Sequence, residues 1–482
     1  MNAFSRILAG AGFLLAGAWM PSAAMDVAVE GGGLRKALEG ATDVDVLKIT
    51  GSVDIRDFDF MVDALRNLRE LDLSEARIAP YQGEATFLGR TSAPADELPE
   101  CALMGTPVEK LILPATLRAV GTGALGGSAL RSVVIPDGVE SIGTGAFSGC
   151  RSLQEVSIPA GVATLGEGAF RDCVALSRVV VGAPLRSIGA STFSGCVQLA
   201  EVQLPESLKI IGDDAFGGCT SLRQIAFPAG LQQIGARAFA GTGVTAVDLG
   251  ECASLAAVGN WAFAGCDSLA EVTLPSALEV IGRGAFHNDA SIRPGALPAT
   301  LREVGDFALK GWSQVQLLEL PSTLEYIGTE AMANWTALER ISAEELMEVP
   351  ALGADVWRGV EQGSVKLVVA DDMTDAFRGA DQWADFNVLA VSGIDDVTTL
   401  APGENRSVGA RFEGMTLILE SPSVEIAGVQ LYDPAGRICN TVPAATADRT
   451  RMSVDTSILD TPVMIVRVRL ADGSAAVLKL TR

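Results

Sequence analysis

The cysteines are the residues of this chain with the most chemical potential. Eight occur among 482 residues, and five of them recur about 23 residues apart, or once about twice that distance: Cys150, Cys173, Cys196, Cys219 and Cys266. This spacing is far wider than that of a zinc-binding or redox motif. Cysteine is a favoured small buried side chain, so the pattern predicts a column of reduced thiols. Occasional disulfides between neighbouring coils are the alternative, because adjacent strands lie ~4.8 Å apart.

Other groups that could perform catalysis are few. The only histidine, His287, occupies a variable position that we expect to be exposed. The acidic pairs Asp213-Asp214 and Asp371-Asp372 belong to no calcium-binding loop, so we interpret them as solvated turn residues. The G-x-G-x-x-G string at 121–126 lacks the βαβ unit of a dinucleotide site. The sequence therefore predicts no enzyme activity, no catalytic residues, no cofactor and no metal site.

Each cysteine of the column follows an aromatic residue by three positions, and this relation exposes a repeat. The motif I/L-G-x-x-A-F and its close variants end at phenylalanines 23 or 24 residues apart: Phe147, Phe170, Phe193, Phe216, Phe239, Phe263 and Phe286. Leu103, Leu125, Leu309, Met332 and Trp357 extend the same register to twelve units. A period of this length predicts a solenoid whose coils bury apolar surface only against their neighbours.

One unit, LQEVSIPAGVATLGEGAF at 153–170, shows how a coil is built. Its alternating apolar residues, including Val156 and Ile158, predict a short, half-buried strand. Pro159 lacks a backbone donor and ends that strand. Gly166 is expected to form a second corner through its permissive dihedral angles, after which Phe170 returns to the core.

The unit L-x-x-V-x-I-P…I-G-x-x-A-F-x-G-C resembles the BspA-like leucine-rich repeats of surface proteins from Bacteroidetes and other microbes. The resemblance covers roughly residues 98–390, and the segment 364–388 is similar to the closing segment of that family. It implies a β-rich (α/β) solenoid with repeats of about 23 residues. It also implies adhesion to host or bacterial surface proteins.

The N-terminal region predicts export. Residues 1–24 combine Arg6, a 14-residue apolar stretch and a small-residue site after Ala24, as a signal peptide does, and no segment is long enough to span a membrane. Its removal leaves 35 basic and 59 acidic side chains, a formal charge of −24, which argues against nucleic acid as a partner. Residues 25–80 predict an N-terminal cap, and residues 81–392 the solenoid with its C-terminal cap.

The repeat ends before a different C-terminal region. Residues 393–405 are predicted to be a polar linker, and 406–482 a small antiparallel β-sandwich with hairpin turns at Asp433–Gly436 and Ala471–Gly473. The strings VQLYDPAGRI and MIVRVRLADGSAAVLKLTR resemble the C-terminal sorting domain of the type IX secretion pathway. This resemblance implies delivery to the cell surface or medium, and a degenerate module would leave the protein in the periplasm.

The predicted function is binding of a surface protein, by a monomer, through the outward side of the strand ladder. Its candidate ligand-binding residues are Glu155, Arg178, Glu201, Gln224 and Glu271. A glycan-capture module and a structural spacer are the alternatives. Trp312 and Trp335, which replace the cysteines in later coils, could stack on sugars or simply fill a wider core.

Overall fold

The computed structural model describes residues 24–289, 293–294 and 297–393. In the C-terminal region it describes 409–413, 416–421, 425–432, 438–443, 451–455, 463–470 and 475–481. The predicted signal peptide before Ala24, the predicted linker after Gly393 and both predicted hairpin turns lie outside the described residues. Within that part of the chain, no helix is long and apolar enough to cross a membrane.

The coils stack through two sets of parallel strands. One set forms the ladder, which is divided into four sheets. The first sheet contains Ala24–Val29, Val46–Val53, Glu70–Ile78, Lys110–Ile112 and Ser132–Val133, and the second contains Glu155–Ile158, Arg178–Val181 and Glu201–Gln203. The third contains Ala246–Asp248, Glu271–Thr273 and Arg293–Pro294, and the fourth contains Leu317–Glu319, Arg340–Ala343, Lys366–Val369 and Asn387–Ala390. The fold is a leucine-rich-repeat solenoid with repeats near 23 residues, as the sequence predicts.

A second wall of two-residue strands follows the ladder in each coil. Its members are Glu97–Leu98, Ala119–Val120, Ser141–Ile142 and Thr164–Leu165, then Ser187–Ile188, Ile210–Ile211, Gln233–Ile234, Ala257–Val258, Val280–Ile281, Glu303–Val304, Tyr326–Ile327 and Ala351–Leu352. A small antiparallel hairpin, Tyr81–Gln82 with Ser92–Ala93, precedes the first of these strands.

Helices occur near the two ends of the solenoid. Leu34–Ala37 and Ile55–Ala64 lie at the N-terminal end, and Thr374–Gly379 at the C-terminal end with 3-10 turns at Gln362–Ser364, Asp371–Met373 and Val391–Gly393. Asp54 caps helix Ile55–Ala64 in a reciprocal capping box with Asp57. The strands of the predicted N-terminal cap pair directly into the ladder, since Leu71 is the register partner of Leu111.

The phenylalanines form a continuous stack through the core. Their rings are fully buried, with neighbouring centroids 5.0–5.6 Å apart and planes within 17° of parallel from Phe147 to Phe286. Backbone hydrogen bonds link the coils here, for example from Phe216 N to Ala238 O at 2.8 Å. Burying such a ring is worth ~1.5–3 kcal/mol, so the stack stabilises every coil it crosses.

The role expected for Gly166 is wrong. Its backbone does not have a positive φ; that conformation belongs to Gly168, two residues later. A Cβ on Gly166 would lie 2.4 Å from the carbonyl carbon of Gly143 and the backbone nitrogen of Thr144. Glycine is therefore required because two coils approach closely at this point. The left-handed position is less demanding, since Asp214, Arg237 and Trp261 adopt it in later coils.

The C-terminal region contains two antiparallel sheets. One has the strands Gly409–Glu413, Thr416–Glu420 and Arg451–Asp455, and the other has Ile438–Pro443, Ile426–Tyr432, Val463–Leu470 and Ala475–Thr481. In strand Val463–Leu470, Val466, Val468 and Leu470 are buried at alternate positions. Arg467 and Arg469 alternate with them and face the other side of the sheet.

Candidate ligand-binding surface

The predicted ligand-binding residues lie on the outward side of the ladder. Glu155, Arg178 and Glu201 are exposed and are register partners on three successive strands. Arg178 Nε lies 3.2 Å from Glu201 Oε2. At these exposed positions an ion pair contributes little to the stability of the fold. The charged groups are therefore accessible to a ligand and are not needed to hold the strands together.

The other two candidates lie farther along the solenoid. Gln224 is exposed but outside any strand, because the ladder is interrupted between Glu201–Gln203 and Ala246–Asp248. Glu271 is exposed in the next sheet, opposite Ala246. The five residues therefore share one side of the molecule, but they belong to two separate sheets and one irregular coil.

The sequence does not predict the apolar part of this surface. Ile112 and Val134 are outward-facing on neighbouring coils, and 39% and 82% of their respective surfaces are exposed. The equivalent positions carry Ser157, Val180 and Gln203 in later coils. The Ser-Val-Val-Ile-Pro string at 132–136 could have indicated this exposed apolar surface, because Val134 breaks the alternation of apolar and polar residues.

The C-terminal sheet covers the ladder at its other end. The Arg467 guanidinium lies 2.8 Å from Glu319 Oε1, 3.5 Å from Glu344 Oε2 and 3.3 Å from Ser342 Oγ. Its side chain and that of Glu344 are both more than nine-tenths buried. Pairing inside the contact offsets the cost of removing these charges from water.

Two further residues of the same sheet reach the solenoid. Gln430, the register partner of Arg467, donates to Glu345, and Arg469 Nη2 lies 3.7 Å from that carboxylate. The candidate residues Glu155 through Glu271 lie outside this contact. The open part of the ladder thus coincides with the predicted binding positions.

The cysteine column is internal. Cys150, Cys173, Cys196, Cys219 and Cys266 are fully buried, and among the described cysteines none forms a disulfide. Each thiol donates to the backbone carbonyl of the core residue one coil earlier, as Cys196 Sγ does to Phe170 O at 3.1 Å. Burial raises the pKa of the Cys219 and Cys266 thiols to about 12, which keeps them protonated and unreactive.

Trp312 and Trp335 are buried too, so neither can stack on a sugar. Their indole Nε1 atoms donate to Phe286 O at 3.2 Å and Leu309 O at 2.8 Å. The expectation that His287 is exposed is wrong: it is half-buried, with its ring edge-on to Trp261 and Phe307. Burial lowers the pKa of His287, and the Lys310 charge lowers it further.

The paired acids diverge instead of forming a site. Asp213 Oδ1 accepts from Ala236 N, whereas Asp214 Oδ1 accepts from Arg237 Nε. Across the part of the chain that the structure describes, no group of three or more His, Cys, Asp or Glu residues could hold a metal ion.

These features define a solenoid of the leucine-rich-repeat class. The family model described as "BspA type Leucine rich repeat region" matches residues 96–216, 186–294 and 247–352, which together span 257 of the 482 residues. The chain belongs to this family. The family is a repeat scaffold and is not enzymatic in kind.

Several solved structures are similar to the chain. A leucine-rich repeat protein from Bacteroides ovatus is 22% identical, with a TM-score of 0.46 over 72% of this chain and 88% of its own. The pneumococcal vaccine antigen PcpA is 15% identical, with a TM-score of 0.39 over 77% of this chain and 89% of its own. The T. pallidum leucine-rich repeat protein is 32% identical over 36% of this chain and 82% of its own, with a TM-score of 0.30. Comparison with curated proteins gives no significant match.

Proposed function

We propose that this protein is an exported adhesin that binds a protein on a host or bacterial surface through the open part of its ladder. One observation carries the proposal: the outward positions from Glu155 to Glu271 are exposed and vary in charge from coil to coil, on a rigid parallel scaffold. A varied surface of this kind suits a folded protein epitope. Membership of a family of repeat scaffolds supports a binding role.

A glycan-capture role has less support. Carbohydrate sites use exposed aromatic rings, and the two tryptophans that could have served are buried in the core. A spacer role would leave the open ladder without a ligand. The binding experiment therefore needs protein and glycan arms, and failure of both would favour the spacer.

The experiment is a binding screen of the chain from Met25 onward against host matrix proteins and a glycan array. Two ladder charges are then reversed, Arg178→Glu and Glu271→Lys. Each has a matched control on the second-wall side of its own coil, Arg186→Glu and Glu279→Lys, also at exposed positions. Reversal of the ladder charges should weaken capture of a protein ligand about tenfold or more, and the controls should leave it unchanged.

Equal effects of the ladder and second-wall reversals would contradict the ladder as the binding surface. A hit on glycans alone would contradict a protein ligand.

We further propose that the C-terminal module directs the protein to the surface, as its VQLYDPAGRI and VRVRLADG strings imply. A chain truncated after Ala390 should then be processed at Ala24 but remain in the periplasm. Equal surface labelling of the truncated and full-length chains in the native host would contradict this role. Arg467→Ala in the full chain removes the buried ion pairs between the C-terminal sheet and the ladder but keeps the rest of the module. It therefore separates the contact with the solenoid from transport to the surface.

A further inference from the structure

A groove lies at the turns that lead into the ladder strands of the first coils. It has a volume of about 680 Å³ and runs between the end of helix Ile55–Ala64 and the turns of the first three coils of the array. Gly105, Gly127 and Gly149 occupy equivalent corners of these coils with φ between 68° and 72°. Because they carry no side chain, the groove is floored largely by backbone.

Two of the three turns at the groove are short. Leu103 and Leu111 are eight positions apart, as are Leu125 and Val133, whereas Phe147 and Val156 are nine apart. The first two coils therefore lack one residue between the core position and the ladder. The third coil has the full length, and its Arg151 and Ser152 line the groove.

The charge of the groove is opposite to that of the protein. Of the residues that the structure describes, Arg66 and Arg151 line it and no acidic residue does, although the chain carries a formal charge of −23. Both arginines are exposed, and among the described residues no carboxylate lies within ion-pair distance of either. Most other arginines of the described solenoid do have such a partner, as Arg69 and Arg131 have in Glu109.

The Arg66 side chain is held in place without being neutralised. Its Nε donates to the backbone carbonyl of Asp63 at 2.9 Å, at the end of the helix. This hydrogen bond orients the guanidinium and leaves its terminal nitrogens as donors for a ligand. An oriented guanidinium recognises a carboxylate through paired, charge-assisted hydrogen bonds.

The remaining walls mix polar and apolar side chains. Thr106, Ser128 and Ser152 line the groove. Its accessible apolar surface comes from Met104, which is 54% exposed, and the half-buried Pro107. A methionine adapts to different side chains, which suits a peptide. No aromatic ring from the described part of the chain lines the groove, so those residues offer no stacking surface for a sugar.

We propose that this groove is a second binding site that accepts an acidic peptide segment. Carboxylates of the peptide pair with Arg66 and Arg151, and an apolar side chain packs on Met104 and Pro107. Clustered arginines are a recurrent means of recognising acidic motifs. The overall negative charge of the protein does not prevent this, because its field is screened beyond ~8 Å at physiological ionic strength.

The test measures fluorescence anisotropy of labelled short peptides with the chain from Met25 onward. One peptide set combines Glu with Leu, and a second replaces every Glu by Lys. Sialylated and sulfated oligosaccharides form a third set. The double variant Arg66→Gln/Arg151→Gln is compared with Arg186→Gln/Lys209→Gln, which removes the same charge at sites where the described residues show no ion pair.

The Glu–Leu set should bind, and the groove variant should lose about tenfold or more in affinity while the control variant loses less than about twofold. Ala129→Trp, which fills the groove and leaves both arginines in place, should also abolish binding. The ladder reversal Arg178→Glu should have no effect, which distinguishes this site from the proposed adhesive surface.

Three results would each overturn the proposal. The first is the absence of measurable binding by any Glu–Leu peptide, and the second is unchanged binding in both the double arginine variant and Ala129→Trp. The third is preference for the oligosaccharides over the peptides. Equal melting temperatures of all variants establish that the comparison concerns the groove and not folding.

Discussion

Two regions of the solenoid fill the same internal column in different ways. The column consists of the residue three positions after the core Phe, Leu or Met of each coil. In the first region it holds Cys150, Cys173, Cys196 and Cys219, and in the second it holds Cys266, Asp289, Trp312 and Trp335. All eight side chains are buried. Thiol and indole are different in size, yet both donate to the core carbonyl of the preceding coil. At seven of these eight positions the side chain is thus a buried donor, and a ring can provide the donor as well as a thiol.

Asp289 differs from the other residues of the column because its side chain accepts a hydrogen bond. Its Oδ1 accepts from Cys266 N at 2.9 Å, and its Oδ2 is buried with no hydrogen-bond partner among the described residues. A carboxylate cannot donate, and only the protonated form can. Burial raises the pKa of Asp289 to about 8, with a smaller contribution from the Asp267 charge, so the acid is largely neutral at pH 7.

The largest effect should come from the core stack beside the first region. Phe216→Ala should lower the free energy of unfolding by about 3–5 kcal/mol, because a cavity forms between coils. Cys219→Ala, in the same coil, should cost only about 1 kcal/mol for the lost hydrogen bond. Glu201→Ala on the exposed ladder is the control, with a change of no more than about 0.5 kcal/mol. Chemical unfolding of the three variants measures this order. A larger loss of unfolding free energy for Cys219→Ala than for Phe216→Ala would contradict the Phe stack as the main stabilising contact between coils.

The next effect concerns the pH dependence of the second region. The ordinary pKa of an aspartic acid is 3.8 and that of Asp289 in the fold is about 8, so between these values the folded state binds the extra proton. Its contribution to stability is therefore greatest below about pH 4 and falls as the pH rises to about 8. Asp289→Asn cannot ionise. The melting temperature of the wild type should fall relative to that of Asp289→Asn as the pH rises from 5 to 8, and parallel curves would show that Asp289 is not buried as an acid.

A smaller effect should come from removing an indole donor. Trp312→Phe keeps an aromatic ring but deletes the hydrogen bond to Phe286 O, at a cost of about 1 kcal/mol. Trp261→Phe is the matched control, since Trp261 is outside the column and lies against His287 on the flank of the coil. Equal losses in chemical unfolding would mean that ring volume, and not the donor, governs this position.

The sequence predicts what is repeated. The period of 23 residues, the alternating strand and the Phe register follow from contacts that every coil makes with the next, so each unit adds evidence for the same interpretation. The donor role of the column could not be derived in this way. It depends on the distance from Sγ to a carbonyl of another coil, and that distance follows from stacking geometry.

Features that occur only once in the chain could not be predicted from the sequence either. The contact of Arg467 with Glu319 and Glu344 joins residues more than 120 positions apart, and no pattern in the VRVRL string indicates a buried arginine. The Arg66–Arg151 groove brings together residues from helix Ile55–Ala64 and from three coils. Its position relative to helix Ile55–Ala64 is visible only in three dimensions. The alternation of apolar and polar residues indicates that the candidate ligand positions face outward. It does not indicate which part of the ladder the C-terminal sheet covers.

The smallest expected effect is on native thiol reactivity, which should be nearly absent in both regions. Cys173, Cys196, Cys219 and Cys266 are buried and their pKa values are raised, so a thiol reagent should find few reactive groups in the folded protein. Burial also raises the pKa of Cys101, but its side chain is only half-buried, so it serves as the internal reference for an accessible thiol. Denaturation without reductant should release most of the column. Recovery of a Cys150–Cys173 disulfide peptide instead would contradict a free column, since a thiol bonded to its neighbour cannot donate to the carbonyl of Phe147.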